Sequence, residues 1–113
     1  MGINDSADRR LERRWATRYV FRVGLDIEWG SAVLRASTRD VSASGMFIES
    51  ADPLWVGAGF TASLQLDRPL RADCRVRRIE PGMGMGVSVS FPVEHQKSYQ
   101  DLLSRLSQSE PEV

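Results

Sequence analysis

Between Val20 and Trp29 the chain switches side-chain character at every residue. Phe21, Val23, Leu25, Ile27 and Trp29 alternate with Val20, Arg22, Gly24, Asp26 and Glu28. A period of two places successive side chains on opposite faces of an extended backbone, so this stretch is a half-buried strand and not a helix. The pattern then repeats along the chain. Trp29-Gly30-Ser31 reads as a tight turn, and Ala32, Leu34, Ala36 and Thr38 continue as a second strand running into Asp40. Met46-Phe47-Ile48 forms a third. After the break at Asp52-Pro53 and the glycines Gly57 and Gly59, the run Phe60, Ala62, Leu64 and Leu66 forms a fourth. Leu70, Ala72, Cys74 and Val76 form the inward face of a fifth, and Met85, Val87, Val89 and Phe91 of a sixth.

Beyond Pro92 the period changes. Tyr99, Leu102, Leu103 and Leu106 fall at i, i+3, i+4 and i+7, the apolar stripe of one amphipathic helix. Six short strands and one helix predict a mainly β, antiparallel barrel, with the helix covering an open end or flank. At 113 residues the chain is expected to form one domain. The expected division is a disordered leader over 1–9, an arginine-rich arm over 10–19, the barrel over 20–91, the helix over 94–107 and a frayed tail over 108–113.

Composition narrows the function. The chain is 42% hydrophobic and 27% charged, and no apolar run approaches the roughly 18 residues that span a bilayer. The first residues lack a signal-peptide core, so a cytoplasmic location is expected. The lone Cys74 and lone His95 rule out an internal disulfide and argue against a dedicated metal site. With no histidine placed to activate a serine or cysteine, catalysis is not expected. The formal net charge is zero, which argues against a general trap for nucleic acid. Even so, Arg9, Arg10, Arg13, Arg14, Arg18 and Arg22 lie within fourteen positions, against one acid, Glu12.

Two local patterns carry chemistry. In Asp40-Val41-Ser42-Ala43-Ser44-Gly45 an aspartate and a serine two positions apart point to one side of extended backbone. The glycine three positions later permits a sharp turn or a close approach. A plain turn uses the same residues. Arginine can meet a phosphate with two parallel hydrogen bonds, bind the O6 and N7 edge of guanine, or stack on a base. An arginine arm beside an Asp/Ser/Gly turn therefore forms a possible two-part clamp for a guanine nucleotide. A solvated basic leader with no specific role is the alternative reading of the arm.

Together these residues resemble the PilZ domain family. Arg14-Trp15-Ala16-Thr17-Arg18 matches its RxxxR motif and Asp40 to Gly45 its (D/N)xSxxG motif. Gly84-Met85-Gly86-Val87 is similar to its late GxGV stretch. The resemblance covers roughly residues 10–106 and implies a six-stranded antiparallel PilZ-like β-barrel with a C-terminal α-helix and a flexible N-terminal arm. It implies a bacterial receptor for cyclic di-GMP, with no cofactor or metal and no enzymatic activity. Arg14 and Arg18 would bind phosphates and guanine edges, Asp40 and Ser42 would bind guanine polar groups, and Gly45 would keep the turn open. Arg13, just ahead of the first motif arginine, resembles members that take up a self-intercalated ligand dimer. The resemblance also implies a downstream protein effector, reached when ligand orders the arm and changes a surface. Two alternatives stand beside it: a PilZ-like adaptor that binds a protein partner without nucleotide, and a small barrel that binds single-stranded nucleic acid.

Overall fold

Each alternating stretch becomes a strand because its apolar face can be buried only against the other strands. A computed structural model describes residues 17–109; the expected leader, most of the arm, including Arg13 and Arg14, and the end of the tail lie outside these residues. The described elements are β1 (Tyr19–Val20), β2 (Gly24–Trp29), β3 (Ala32–Val41), β4 (Gly45–Glu49), β5 (Gly59–Leu64), β6 (Leu70–Glu80), β7 (Gly84–Ser90) and α1 (Val93–Ser109). All strand pairs are antiparallel.

The first expected strand is interrupted. Tyr19 and Val20 pair with Val41 and Asp40, and Gly24 resumes opposite Ser37, so β1 and β2 run in line along one side of β3. The break is held by the buried Thr38, whose hydroxyl accepts from the Val23 amide at 3.0 Å and donates to the Phe21 carbonyl. Counted as one strand, β1/β2 joins β3, β4, β7, β6 and β5, and β5 returns to β2. The result is a closed six-stranded antiparallel barrel with one C-terminal helix, as the alternation predicts.

Leu25, Ile27, Met46, Ile48, Ala62, Leu64, Ala72, Val76 and Met85 fill the interior. The helix closes over it with Tyr99, Leu102 and Leu106, all buried. Each large aliphatic side chain so buried contributes about 1.5–3 kcal/mol of transfer free energy. Two contacts fix the helix. The Arg71 amide donates to Nδ1 of His95 at 3.1 Å, and the Tyr99 hydroxyl donates to the Ser42 carbonyl at 2.6 Å. His95 is thus a structural bridge to β6. Tyr99, stacked on Phe91 with ring centroids 4.2 Å apart, ties α1 to the turn after β3.

Cys74 lies in the interior, as its inward position on the alternating face predicts. Burial first, and then the neighbouring Asp73 charge, pushes its thiol from 9.0 up to about 12. The folded protein therefore holds the thiol proton more tightly than the unfolded chain does. The stability this contributes is complete below about pH 9 and is lost as pH rises from there toward 12. Native protein at pH 8 should react with a thiol reagent only at its opening rate, whereas unfolded protein should react at once. Replacement Tyr99→Phe leaves the Ser42 carbonyl buried without its donor and should cost about 1–3 kcal/mol in urea unfolding.

Candidate functional site

The short link between β3 and β4 is held from inside. The Ser42 amide donates to the Gly45 carbonyl at 2.8 Å, and the Gly45 amide donates to Oγ of Ser42 at 3.2 Å. Ser42 is fully buried, so its hydroxyl secures the turn. Gly45 is required by space: a Cβ there would lie 2.3 Å from the Val87 carbonyl oxygen on the neighbouring strand. The structure thus brings Ser42 and Gly45 together as one turn, anchored beneath by Tyr99. Burial, reinforced by Cys74 and opposed by Arg18, holds the Tyr99 phenol well above its ordinary range, so it remains a donor to this turn.

Asp40 precedes the turn, and its side chain is only 2% exposed. A carboxylate so far from water needs charged partners, and it has two. Nε of Arg18 donates to Oδ1 at 2.8 Å, and Nε of Arg39 donates to Oδ2 at 3.0 Å. Arg18 is the one motif arginine among the described residues, and β1 carries it to Asp40 by pairing Val20 with Asp40. The Arg18 side chain keeps 37% of its surface and that of Arg39 keeps 30%, so both guanidinium groups remain open to solvent on one side.

The pairing register extends this pair into a row. Asp40 lies opposite Phe47, Phe47 opposite Gly86, and Gly86 opposite Arg78, across four neighbouring strands on the outer face. Met46 and Ile48 point into the core, so Phe47 must point out, yet it is fully buried. Arginines cover it. The Arg39 guanidinium carbon sits 3.7 Å from the ring centroid and that of Arg78 sits 5.6 Å away, in cation–π contact. Gly86 allows this, because a Cβ at that position would press on the Arg78 side chain at 3.0 Å. Glu80 pairs with both Arg78 and Arg39.

Two irregularities aim the arginines. The β3–β4 register shifts between Thr38 and Asp40, making Arg39 the extra residue of a bulge, and the β6–β7 register shifts between Val76 and Arg78 at Arg77. Nε of Arg77 donates to the Ser88 hydroxyl at 3.0 Å, and Ser88 lies opposite Gly45. The outer face from β3 to β6 thus gathers Arg18, Arg39, Arg77 and Arg78 against Asp40 and Glu80. It carries a positive excess on a chain of zero formal charge. Such a face suits a ligand with anionic groups and planar, hydrogen-bonding edges.

Arg18 meets Asp40, and Ser42 and Gly45 form the turn that follows it, with the Ser42 hydroxyl directed into that turn and not presented beside Asp40; Arg13 and Arg14 lie outside the described residues. Sequence reasoning missed Arg39, Phe47 and Arg78, and read Gly86 only as part of the GxGV stretch. One signal was present: in the apolar triplet Met46-Phe47-Ile48, strand alternation forces the middle residue outward. The bulge that turns Arg39 onto Asp40 leaves no mark in the sequence.

Comparison with known proteins agrees with this architecture. The PilZ domain family model matches residues 8–109. No curated protein matches the chain. Among solved structures, the Bacillus subtilis inhibitor of motility MotI/DgrA is similar at 22% identity with a TM-score of 0.69, over 86% of this chain and 52% of that one. The chain thus spans about half the length of that protein. The PilZ domain of CeSA from a cellulose-synthesizing bacterium is similar at 19% identity and a TM-score of 0.60, over 80% of this chain and 97% of that one. The Borreliella burgdorferi PlzA protein in complex with c-di-GMP is similar at 13% identity and a TM-score of 0.64, over 86% and 44%. With the barrel, the turn and the family match in agreement, the chain belongs to the PilZ domain family, a family of cyclic di-GMP receptors.

Proposed function

We propose that this protein is a cytoplasmic, non-enzymatic receptor for cyclic di-GMP, with the outer face around Asp40 as its binding surface. The observation that carries this reading is the buried Asp40 carboxylate held between two half-open guanidinium groups. A guanine presents two N–H donors on one edge and two acceptors, O6 and N7, on the other. Asp40 can accept the donors once it gives up one of its arginine partners. Arg18, released, meets a phosphate or the O6/N7 edge. Ser42 and Gly45 serve by holding the turn in place; a direct bond from Ser42 to guanine requires its hydroxyl to leave the Gly45 amide.

Arg14 belongs to the same clamp, placed four residues before Arg18 in the motif. Arg13 adds a cation for a second set of phosphates, which fits two ligand molecules per chain. Drawing Arg13, Arg14 and Arg18 onto the ligand orders the arm, and the changed surface is what a downstream protein effector reads.

Isothermal titration calorimetry with cyclic di-GMP tests the reading. Prior saturation of the protein with GMP should leave the cyclic di-GMP isotherm unchanged. Asp40→Ala and Arg18→Ala should each weaken it about tenfold to a hundredfold, the loss of a charged hydrogen bond of about 1.5–3 kcal/mol, with the circular dichroism spectrum preserved. Arg13→Ala should lower the stoichiometry from about two ligands per chain toward one. No heat with the wild type, or unchanged affinity in both variants, would sink the receptor reading and favour an adaptor that binds protein alone.

A further inference from the structure

β3 outruns β4. On one side β2 accompanies it from Ala32 to Ser37, but on the other β4 joins only at Ser37. From Ala32 to Ala36 the second edge has no backbone hydrogen-bond partner among the described residues. Thr17, the first described residue, lies two positions before Tyr19, which pairs with Val41 at the far end of β3.

The hairpin defines which groups this edge offers. Trp29 and Ala32 flank a two-residue turn, Gly30-Ser31, with Gly30 at φ 61°. Such a turn makes the flanking pair hydrogen-bonded, and hydrogen-bonded and non-bonded pairs then alternate. Ala32, Leu34 and Ala36 therefore turn their amide groups toward β2. Val33 and Arg35 turn theirs outward, and Ser37, next in that series, is where pairing with β4 starts along β3, opposite Glu49. Proteins usually blunt such an edge with lysine, proline or a bulge. Here Val33 is 62% exposed, Leu34 is 39% exposed, and the bulge lies farther on at Arg39.

We propose that this edge pairs antiparallel with the same edge of a second copy of the chain, about a two-fold axis at Leu34. In that register Val33 faces the second copy's Arg35 and Arg35 faces the second copy's Val33. All the outward N–H and C=O groups of both residues are then satisfied, in four backbone hydrogen bonds. Centring the axis on Val33 leaves the Arg35 groups unpaired. Centring it on Arg35 sets two like charges opposite each other, which is unfavourable. A shift of half a step sets outward groups against inward ones.

The side chains fit the same register. On one face Leu34 meets the second copy's Leu34 across the axis, with its own Ile27 behind it on β2 and Trp29 to one side. On the other, Arg35 lies between Asp26 of its own chain, 3.7 Å away, and the second copy's Val33, so no like charges lie directly opposite; the two Arg35 are diagonal neighbours, each paired with its own Asp26. Trp29 and Trp55, 37% and 57% exposed and in edge-to-face contact at 5.2 Å, border this surface. A contact of this size belongs to the small, reversible class of interfaces.

Sedimentation velocity across micromolar to near-millimolar protein, without nucleotide, tests the proposal independently of ligand binding. The wild type should pass from monomer to dimer as concentration rises, with the Val33 and Arg35 amides gaining protection from hydrogen exchange. Val33→Pro removes only an outward N–H and spares the β2 ladder; Leu34→Lys places two cations at the axis. Both should stay folded and monomeric. A wild type that remains monomeric throughout overturns the proposal, as does a dimer that persists in both variants. Protection of the two amides that does not change with concentration also overturns it, because the chain's own residues then cover the edge.

Discussion

The site depends on one ion triad: the Asp40 carboxylate, nearly sealed from water, bound at one oxygen by Arg18 and at the other by Arg39. A buried carboxylate with one partner removed is costly, so the two guanidinium groups hold each other's position through it. From that constraint the rest of the outer face follows. Arg39, fixed at Asp40, covers Phe47 and reaches Glu80, and Glu80 in turn pairs with Arg78 over the same ring. This outer face is thereby arranged in advance by its own ion pairs.

The barrel supplies rigidity beneath this triad. Ser42, Gly45 and Tyr99 clamp the β3–β4 turn from the core side, and the close approach of Gly45 to Val87 leaves no slack between β4 and β7. Tyr99 also makes the C-terminal helix part of the site without touching its outer face. The turn and the helix are thus joined by a hydrogen bond on the core side of Asp40.

Much of this was legible in the sequence, and the parts that were not share a cause. Strand alternation locates the strands because each apolar residue has only one face on which to be buried. Helical spacing of Tyr99, Leu102 and Leu106 locates the helix for the same reason. The interruption at Phe21–Val23 escaped because the alternation runs through it unbroken; only the Thr38 hydroxyl, bonding both sides of the break, reveals it. Arg39 escaped likewise, since alternation alone would put Arg39 and Asp40 on opposite faces. A bulge sets both to one task. Asp40, Ser42 and Gly45 were recognised as a group, but Ser42 serves the turn from inside, a role that depends on burial and not on residue type.

The central claim is that guanine replaces an arginine at Asp40. Nitrogen-15 NMR of the arginine Nε–H groups observes this replacement directly. In the free protein Arg18 and Arg39 should give two slowly exchanging Nε–H signals, both lost in Asp40→Asn. Saturating cyclic di-GMP should shift the Arg18 signal while that of Arg39, still on Asp40 and Phe47, stays near its place. If both signals remain unmoved when the ligand is bound, Asp40 does not exchange its partners, and guanine is held elsewhere.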